Sequence, residues 1–137
     1  MDFEVVHIAQ LLPELLRGRE LKQQKDVGVT FYDSCRLGRM EGIYEQPREI
    51  LNRCGVTTMD TEENRESAPC CGAGAGVRSV YRELSQKMAQ EVIAKAKADT
   101  IVTCCPFCAF NLSYSAKQEG KGKSIVYIAR VALDSLT

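Results

Sequence analysis

Thr100-Ile101-Val102-Thr103-Cys104-Cys105-Pro106-Phe107-Cys108 holds a strand, a turn and a helix start in one short run. The first four residues are β-branched and alternate poorly, the pattern of a short buried strand. The strand ends on two cysteines. Pro106 suits the first position of a helix, where its missing N–H costs nothing. Cys105 then falls at the N-cap, and Cys105-Pro106-Phe107-Cys108 lays a CxxC across the helix start. Amides and dipole at such a terminus favour thiolate.

Working outward, the same order recurs. Val27–Tyr32 (VGVTFY) is a β-branched and aromatic strand, and it stops at Asp33-Ser34-Cys35. Pro47–Arg53 reads as a short helix with Gly55 just past its end, and Val56–Met59 as a second strand. Residues 60–69 form a polar loop that runs into Cys70-Cys71. Val77, Val80, Tyr81, Leu84, Met88, Val92 and Ala96 recur at helical spacing and predict one long helix. Ile125–Ile128 is a fourth strand or the start of a last helix. Upstream, Phe3, Val6, Leu11, Leu12, Leu15 and Leu16 suggest an amphipathic helix ending near Gly18, begun or kinked at Pro13, with residues 19–26 as a polar connection. Strands alternating with helices predict an α/β fold: three layers, a mainly parallel four-stranded sheet and helices on both faces.

The 137 residues are read as one domain. Eighteen basic residues balance eighteen acidic ones, which gives no reason to expect nucleic acid or a charged membrane surface as partner. No apolar run approaches the ~20 residues of a membrane span, and the N-terminus lacks a signal-peptide pattern. A cytoplasmic chain, membrane-associated only through partner subunits, is the expectation.

The seven cysteines are the anomaly. Without a signal peptide, clustered cysteines point to metal or redox chemistry rather than disulfides. Cys35 follows the first strand, Cys70 and Cys71 lie after the second, and Cys104, Cys105 and Cys108 follow the third. In a parallel sheet, ligands gather beyond the carboxyl ends of the strands. Three separated segments thus bring thiols to one edge. Side chains of the adjacent pair Cys70-Cys71 diverge, which suits separate irons of a multinuclear cluster better than one zinc. Structural zinc takes four ligands, and Cys35, Cys70, Cys71, Cys105 and Cys108 are five. A structural zinc or partner-docking module remains the alternative, with the CxxC, Cys35 and one of Cys70 or Cys71 as ligands. Gly72, Gly74 and Gly76 match neither GxGxxG nor GxxxxGK[ST], so nucleotide binding is rejected. Amides in that loop could donate to cluster sulfides, or the loop could be a tight turn before a helix.

Cys54, beside Ile50 and Leu51, is assigned to core packing. Cys104 is assigned to packing by strand alternation, with a spare-ligand role as the alternative. His7, the sole histidine, is expected to cap or face solvent. Arg36 and Arg39 are read as solvated loop charges rather than as groups biasing a cluster, and Asp33 as capping its turn. A glutaredoxin-like dithiol enzyme is set aside, because CPFC follows the third strand here and no later proline exists.

Cys35, Cys70-Cys71-Gly72 and Cys105-Pro106-x-Cys108, flanked by Leu37-Gly38-Arg39, Pro47-Arg48 and Thr103-Cys104, resemble the CCG cysteine-rich domain of heterodisulfide reductase catalytic subunits and related iron–sulfur oxidoreductases. The likeness covers nearly the whole chain. It implies a [4Fe-4S] cluster, of noncubane type in the heterodisulfide reductases, held by those five cysteines. It further implies electron transfer or disulfide reduction beside other iron–sulfur or flavin subunits. The sequence departs from the family where His and Pro commonly precede the first cysteine: Tyr32 and Ser34 stand there. Ala73 and Ala75 interrupt the glycine run. The family usually carries two such domains. Val5–Gln10 is similar to Ile125–Arg130, which suggests that residues 1–17 are the tail of a preceding sister domain.

Overall fold

The structure is a computed structural model that describes residues 2–24, 27–120 and 122–136. Its strands are β1 (Gly28–Tyr32), β2 (Thr57–Thr58), β3 (Thr100–Thr103) and β4 (Ser124–Tyr127). They form one all-parallel sheet in the order β2-β1-β3-β4. Among the helices, α1 (Ile8–Leu15), α2 (Glu45–Arg53) and α6 (Ile128–Leu136) pack together, and α4 (Arg82–Lys95) packs on α5 (Pro106–Glu119). A short helix α3 (Val77–Val80) precedes α4.

Strand alternation sorts the core into two halves. Val29 and Phe31 of β1, Val102 of β3 and Cys104, two residues on, join Leu12, Ile50, Leu51, Cys54 and Ile128 on the α1/α2/α6 face. Tyr32 and Ile101 join Ala89, Ile93, Leu112, Cys71 and Cys108 on the α4/α5 face. The expected three-layer α/β architecture is what the chain adopts.

Several expected boundaries differ. The N-terminal helix begins at Ile8, because His7 and Gln10 form a reciprocal capping box there: Ala9 N donates to His7 Nδ1 (3.1 Å) and His7 N to Gln10 Oε1 (3.0 Å). Phe3 and Val6 therefore lie ahead of it and are exposed. The helix runs through Pro13, whose carbonyl, with that of Leu16, accepts from the Arg53 guanidinium (2.8 and 2.9 Å). Of the polar connection 19–26, Lys25 and Asp26 lie outside the described residues. The helix at 47–53 starts earlier, at Glu45. The second strand shrinks to Thr57–Thr58, since only the β1 side of this edge strand has a partner. Ile125–Ile128 supplies both expected elements, strand to Tyr127 and helix from Ile128.

The long helix over 77–96 is the largest correction. It breaks at Tyr81 (φ −121°, ψ 64°), and Val80, Tyr81 and Leu84 point outward. The buried row is Ser85, Ala89, Val92 and Ile93. Small residues lead that row because α4 comes down on the backbone of Gly72: a Cβ there would stand 3.0 Å from Ser85 Cα and Ser85 O.

Candidate metal centre

The strand order creates the site. From β1 the chain moves through α2 on one face to β2, then returns across β1 by way of α4 on the opposite face to reach β3. The exits from β1 and β3 thus part to opposite faces, and a crevice opens beyond their carboxyl ends. Tyr32 and Thr103 are register partners at that edge. Cys35 and Cys105 are therefore both delivered to this edge, a few residues beyond the paired strand ends.

Cys35 enters a five-residue π-helical turn, Arg36–Met40, a form often found at functional sites. Cys105 is the N-cap of α5 with Pro106 first in the helix, as the sequence predicts. Cys108, one turn on, is buried on the inner side of α5, and its sulfur lies 3.3 Å from that of Cys71. Cys70 stands half-buried, accepts from Gly72 N (3.4 Å) and lies close enough to Cys35 for the sulfurs to interact. The five cysteines thus form a continuous line, Cys35–Cys70, then Cys71–Cys108–Cys105. Among the described residues, no three Cys, His, Asp or Glu side chains surround a point suited to a single metal ion.

The ionisation of the thiols follows from these contacts. Cys108 sits between Cys105 and Cys71 and keeps its single proton, donating to one of them at a time, so its own acidity is suppressed. That donation, joined by the Cys108 and Phe107 amides of the helix start, pulls Cys105 down to about 6. Donation from Cys108 likewise leads the effects that bring Cys71 to about 7. Burial pushes Cys70 up, against the Gly72 amide. Cys104, one residue from Cys105, lies in the apolar core on the opposite face, and burial holds its thiol well above the ordinary range. Cys54 is buried in that same core.

Polar groups that the sequence reading missed or undervalued anchor the line of thiols. Asp33, almost fully buried, is not a simple turn cap: Arg48 Nη1 and Nη2 donate to its two oxygens (2.9 and 2.8 Å), and Arg65 N donates to Oδ2 (2.8 Å). Arg48 also donates to Asp60 (2.8 Å) and lies over the Phe31 ring (4.9 Å). Arg39 is exposed, as expected of a loop charge, yet it also donates to the carbonyls of Ala68 (2.6 Å) and Glu66 (3.3 Å). The Tyr32 hydroxyl donates to the Pro69 carbonyl (2.6 Å), and burial together with the nearby cysteines keeps it protonated. Fully buried Asn111 donates to the Cys71 carbonyl (2.6 Å) and accepts from Arg78 (2.5 Å), whose guanidinium lies over Phe110 and Tyr114. One signal was available: Asn111 sits three residues past Cys108, a lone amide on the inward row of its helix. Asp33–Arg48 carried no local signal, because its partners are distant in sequence. His7 caps a helix, one of the two roles expected of it.

An iron–sulfur cluster fits this residue set. Thiol donors, two of them with lowered pKa, line one edge, and a loop amide already points at a sulfur. Ser34 Oγ, beside Cys35, is buried with no hydrogen-bond partner, a donor available to a sulfide or thiolate.

Sheet, switch point and thiol line together define a cysteine-rich α/β domain. Residues 29–113 match the CCG cysteine-rich domain, and the chain belongs to that family. It is 36% identical over 118 residues to a subunit of the dihydromethanophenazine:CoB–CoM heterodisulfide reductase of Methanosarcina mazei, covering 82% of this chain and 29% of the relative. A subunit of the fumarate reductase (CoM/CoB) of Methanothermobacter marburgensis is 30% identical over 125 residues, 89% of this chain and 25% of that one. The "Probable iron-sulfur-binding oxidoreductase FadF" of Bacillus subtilis is 36% identical over 111 residues, 77% and 16% respectively. The chain thus spans less than a third of each of these relatives. None of its described helices is long and apolar enough to cross a membrane.

Proposed function

We propose that Cys35, Cys70, Cys71, Cys105 and Cys108 hold a [4Fe-4S] cluster of noncubane type, and that the domain serves electron transfer or disulfide reduction in an iron–sulfur oxidoreductase. The observation that carries this reading is the continuous line of five thiols at the β1/β3 switch point, one more than structural zinc uses. Relatives named as iron–sulfur, heterodisulfide and fumarate reductase proteins support the same class. When bound, the cluster would supply one-electron redox chemistry and an iron open to a sulfur ligand. The protein's part would be to present the five cysteines as thiolates, with Cys71 and Cys105 already acidified in the metal-free chain, to offer the Gly72 amide and Ser34 hydroxyl as donors, and to keep the Tyr32 hydroxyl as a proton-bearing neighbour.

The centre would work beside iron–sulfur or flavin subunits, which would also provide any membrane association. Met40, Tyr81, Phe107 and Phe110 are exposed close in sequence to the ligand loops, the apolar surface such a contact needs. Residues 1–17 would be the tail of a preceding sister domain. In the similar segments Val5–Gln10 and Ile125–Arg130, the helix begins at the equivalent residue, Ile8 and Ile128. Iron, acid-labile sulfide and zinc analysis of anaerobically purified chain tests the proposal. Iron and sulfide in comparable amounts are expected; zinc without sulfide would favour the structural-zinc alternative.

A further inference from the structure

Beside the Tyr32 hydroxyl, which reaches from the end of β1 to Pro69 O (2.6 Å), two polar struts tie the segment carrying Cys35 to the loop carrying Cys70. The first leaves Asp33, two residues before Cys35, and ends on Arg65 N (2.8 Å), five residues before Cys70. Arg48 fixes this strut from α2, donating to both oxygens of Asp33 and to Asp60 at the far end of the loop. The second leaves Arg39, four residues after Cys35, and ends on Ala68 O (2.6 Å), two residues before Cys70. Each cysteine is thus approached by both struts, while neither strut touches Cys71, Cys105 or Cys108. Those three are set by different means: the α5 start, the packing of Gly72 under α4, and the Asn111 bond to the Cys71 carbonyl.

We propose that Arg48 and Arg39 are positioning residues that hold Cys35 against Cys70 as one independently fixed arm of the centre. The inference rests on the proposed ligand set for its meaning but not for its test. Apart from the short turn Arg65–Ser67, the loop that carries Cys70 has no regular structure, so its separation from the turn after Cys35 rests on these cross-loop bonds. Arginine suits both places: its planar fork satisfies the two oxygens of Asp33 while reaching Asp60, and its length reaches a carbonyl across the loop gap.

The test uses the whole 137-residue chain, metal-free and reduced, so it reads geometry whether or not a cluster binds. Dibromobimane bridges neighbouring thiols, and peptide mapping separates the Cys35–Cys70 product from the Cys71–Cys108 product. In Arg39→Met, the rate of the first bridge should fall about tenfold, the factor expected for one lost charge-assisted hydrogen bond. The second bridge should be unchanged. Arg39→Lys, which can still donate to Ala68 O, should restore much of the rate. Arg48→Met should give the same selective loss; if it fails to fold, the Arg39 pair decides. Equal slowing of both bridges, or no slowing of the first, would overturn the proposal.

Discussion

Cysteines lie on both faces of this sheet with opposite properties. On the α1/α2/α6 face, Cys54 and Cys104 sit among Leu, Ile and Val, and burial keeps the Cys104 thiol protonated. On the α4/α5 face, Cys71 and Cys105 are also shielded, yet their thiols are acidified. Buried Cys71 shows that burial alone does not separate them. Donors do: the Cys108 thiol and the amides of a helix start and a glycine loop reach the second group. Cys104 and Cys105 are neighbours in sequence, and the alternation of a single strand sends them to the two environments.

The comparison can be attacked first at the hydrogen bonds that organise the acidified face. Asn111→Leu would leave the Cys71 carbonyl and the Ser85 hydroxyl without their partner and free the Arg78 guanidinium. It should cost about 2–3 kcal/mol, each orphaned buried group contributing on the order of 1 kcal/mol or more. Denaturant unfolding of the reduced chain measures it, and a loss below about 0.5 kcal/mol, the surface-substitution range, would mean that packing alone holds this face. Cys54→Ala on the other face should lose about 1 kcal/mol, the cost of a small buried deletion.

Gly72→Ala sharpens the same contrast. Gly72 has φ +79°, and an added Cβ would meet Ser85 and Met88 at 3.0 Å. A cost of about 2 kcal/mol is expected from the left-handed backbone alone. Gly74→Ala, in open space at ordinary φ, should stay within about 0.5 kcal/mol. Equal unfolding midpoints for the two would show that α4 does not press on the loop.

The smallest effect lies at the edge of the packed face. His7 caps α1 as a neutral acceptor, and partial burial lowers its pKa from the ordinary 6.5. A depressed pKa gives stability that is present above the unfolded value and lost as pH falls through the folded one. The melting temperature should therefore drop below pH 6 by an amount matching about 0.5–1 kcal/mol, the worth of an N-cap. His7→Asn should remove that step while keeping the cap. A step of unchanged size in His7→Asn would assign it elsewhere.

Much of this is legible in the sequence. The β-branched runs at Val27–Tyr32 and Thr100–Thr103 announce central strands, and the cysteines at their ends announce the site, because parallel topology maps strand ends onto one edge. The single helix expected over 77–96 fails for a physical reason. Val80, Tyr81 and Leu84 fit a helical stripe, but α4 must approach Gly72 closely, so Ser85 and Ala89 face inward in their place. The π-helical turn after Cys35 and the Asp33–Arg48–Asp60 network carry no periodic signal. They depend on which loops meet, and that follows from the assembled sheet.

The most direct measurement of the central claim uses the two neighbours at the end of β3. Cys104→Ser and Cys105→Ser chains, purified without oxygen, should be compared for iron and acid-labile sulfide per chain. Cys105→Ser should lose most of its iron, whereas Cys104→Ser should be less stable by about 1–3 kcal/mol, from a hydroxyl buried among apolar groups, but keep its iron. Full iron in Cys105→Ser, or iron lost only from Cys104→Ser, would contradict that claim.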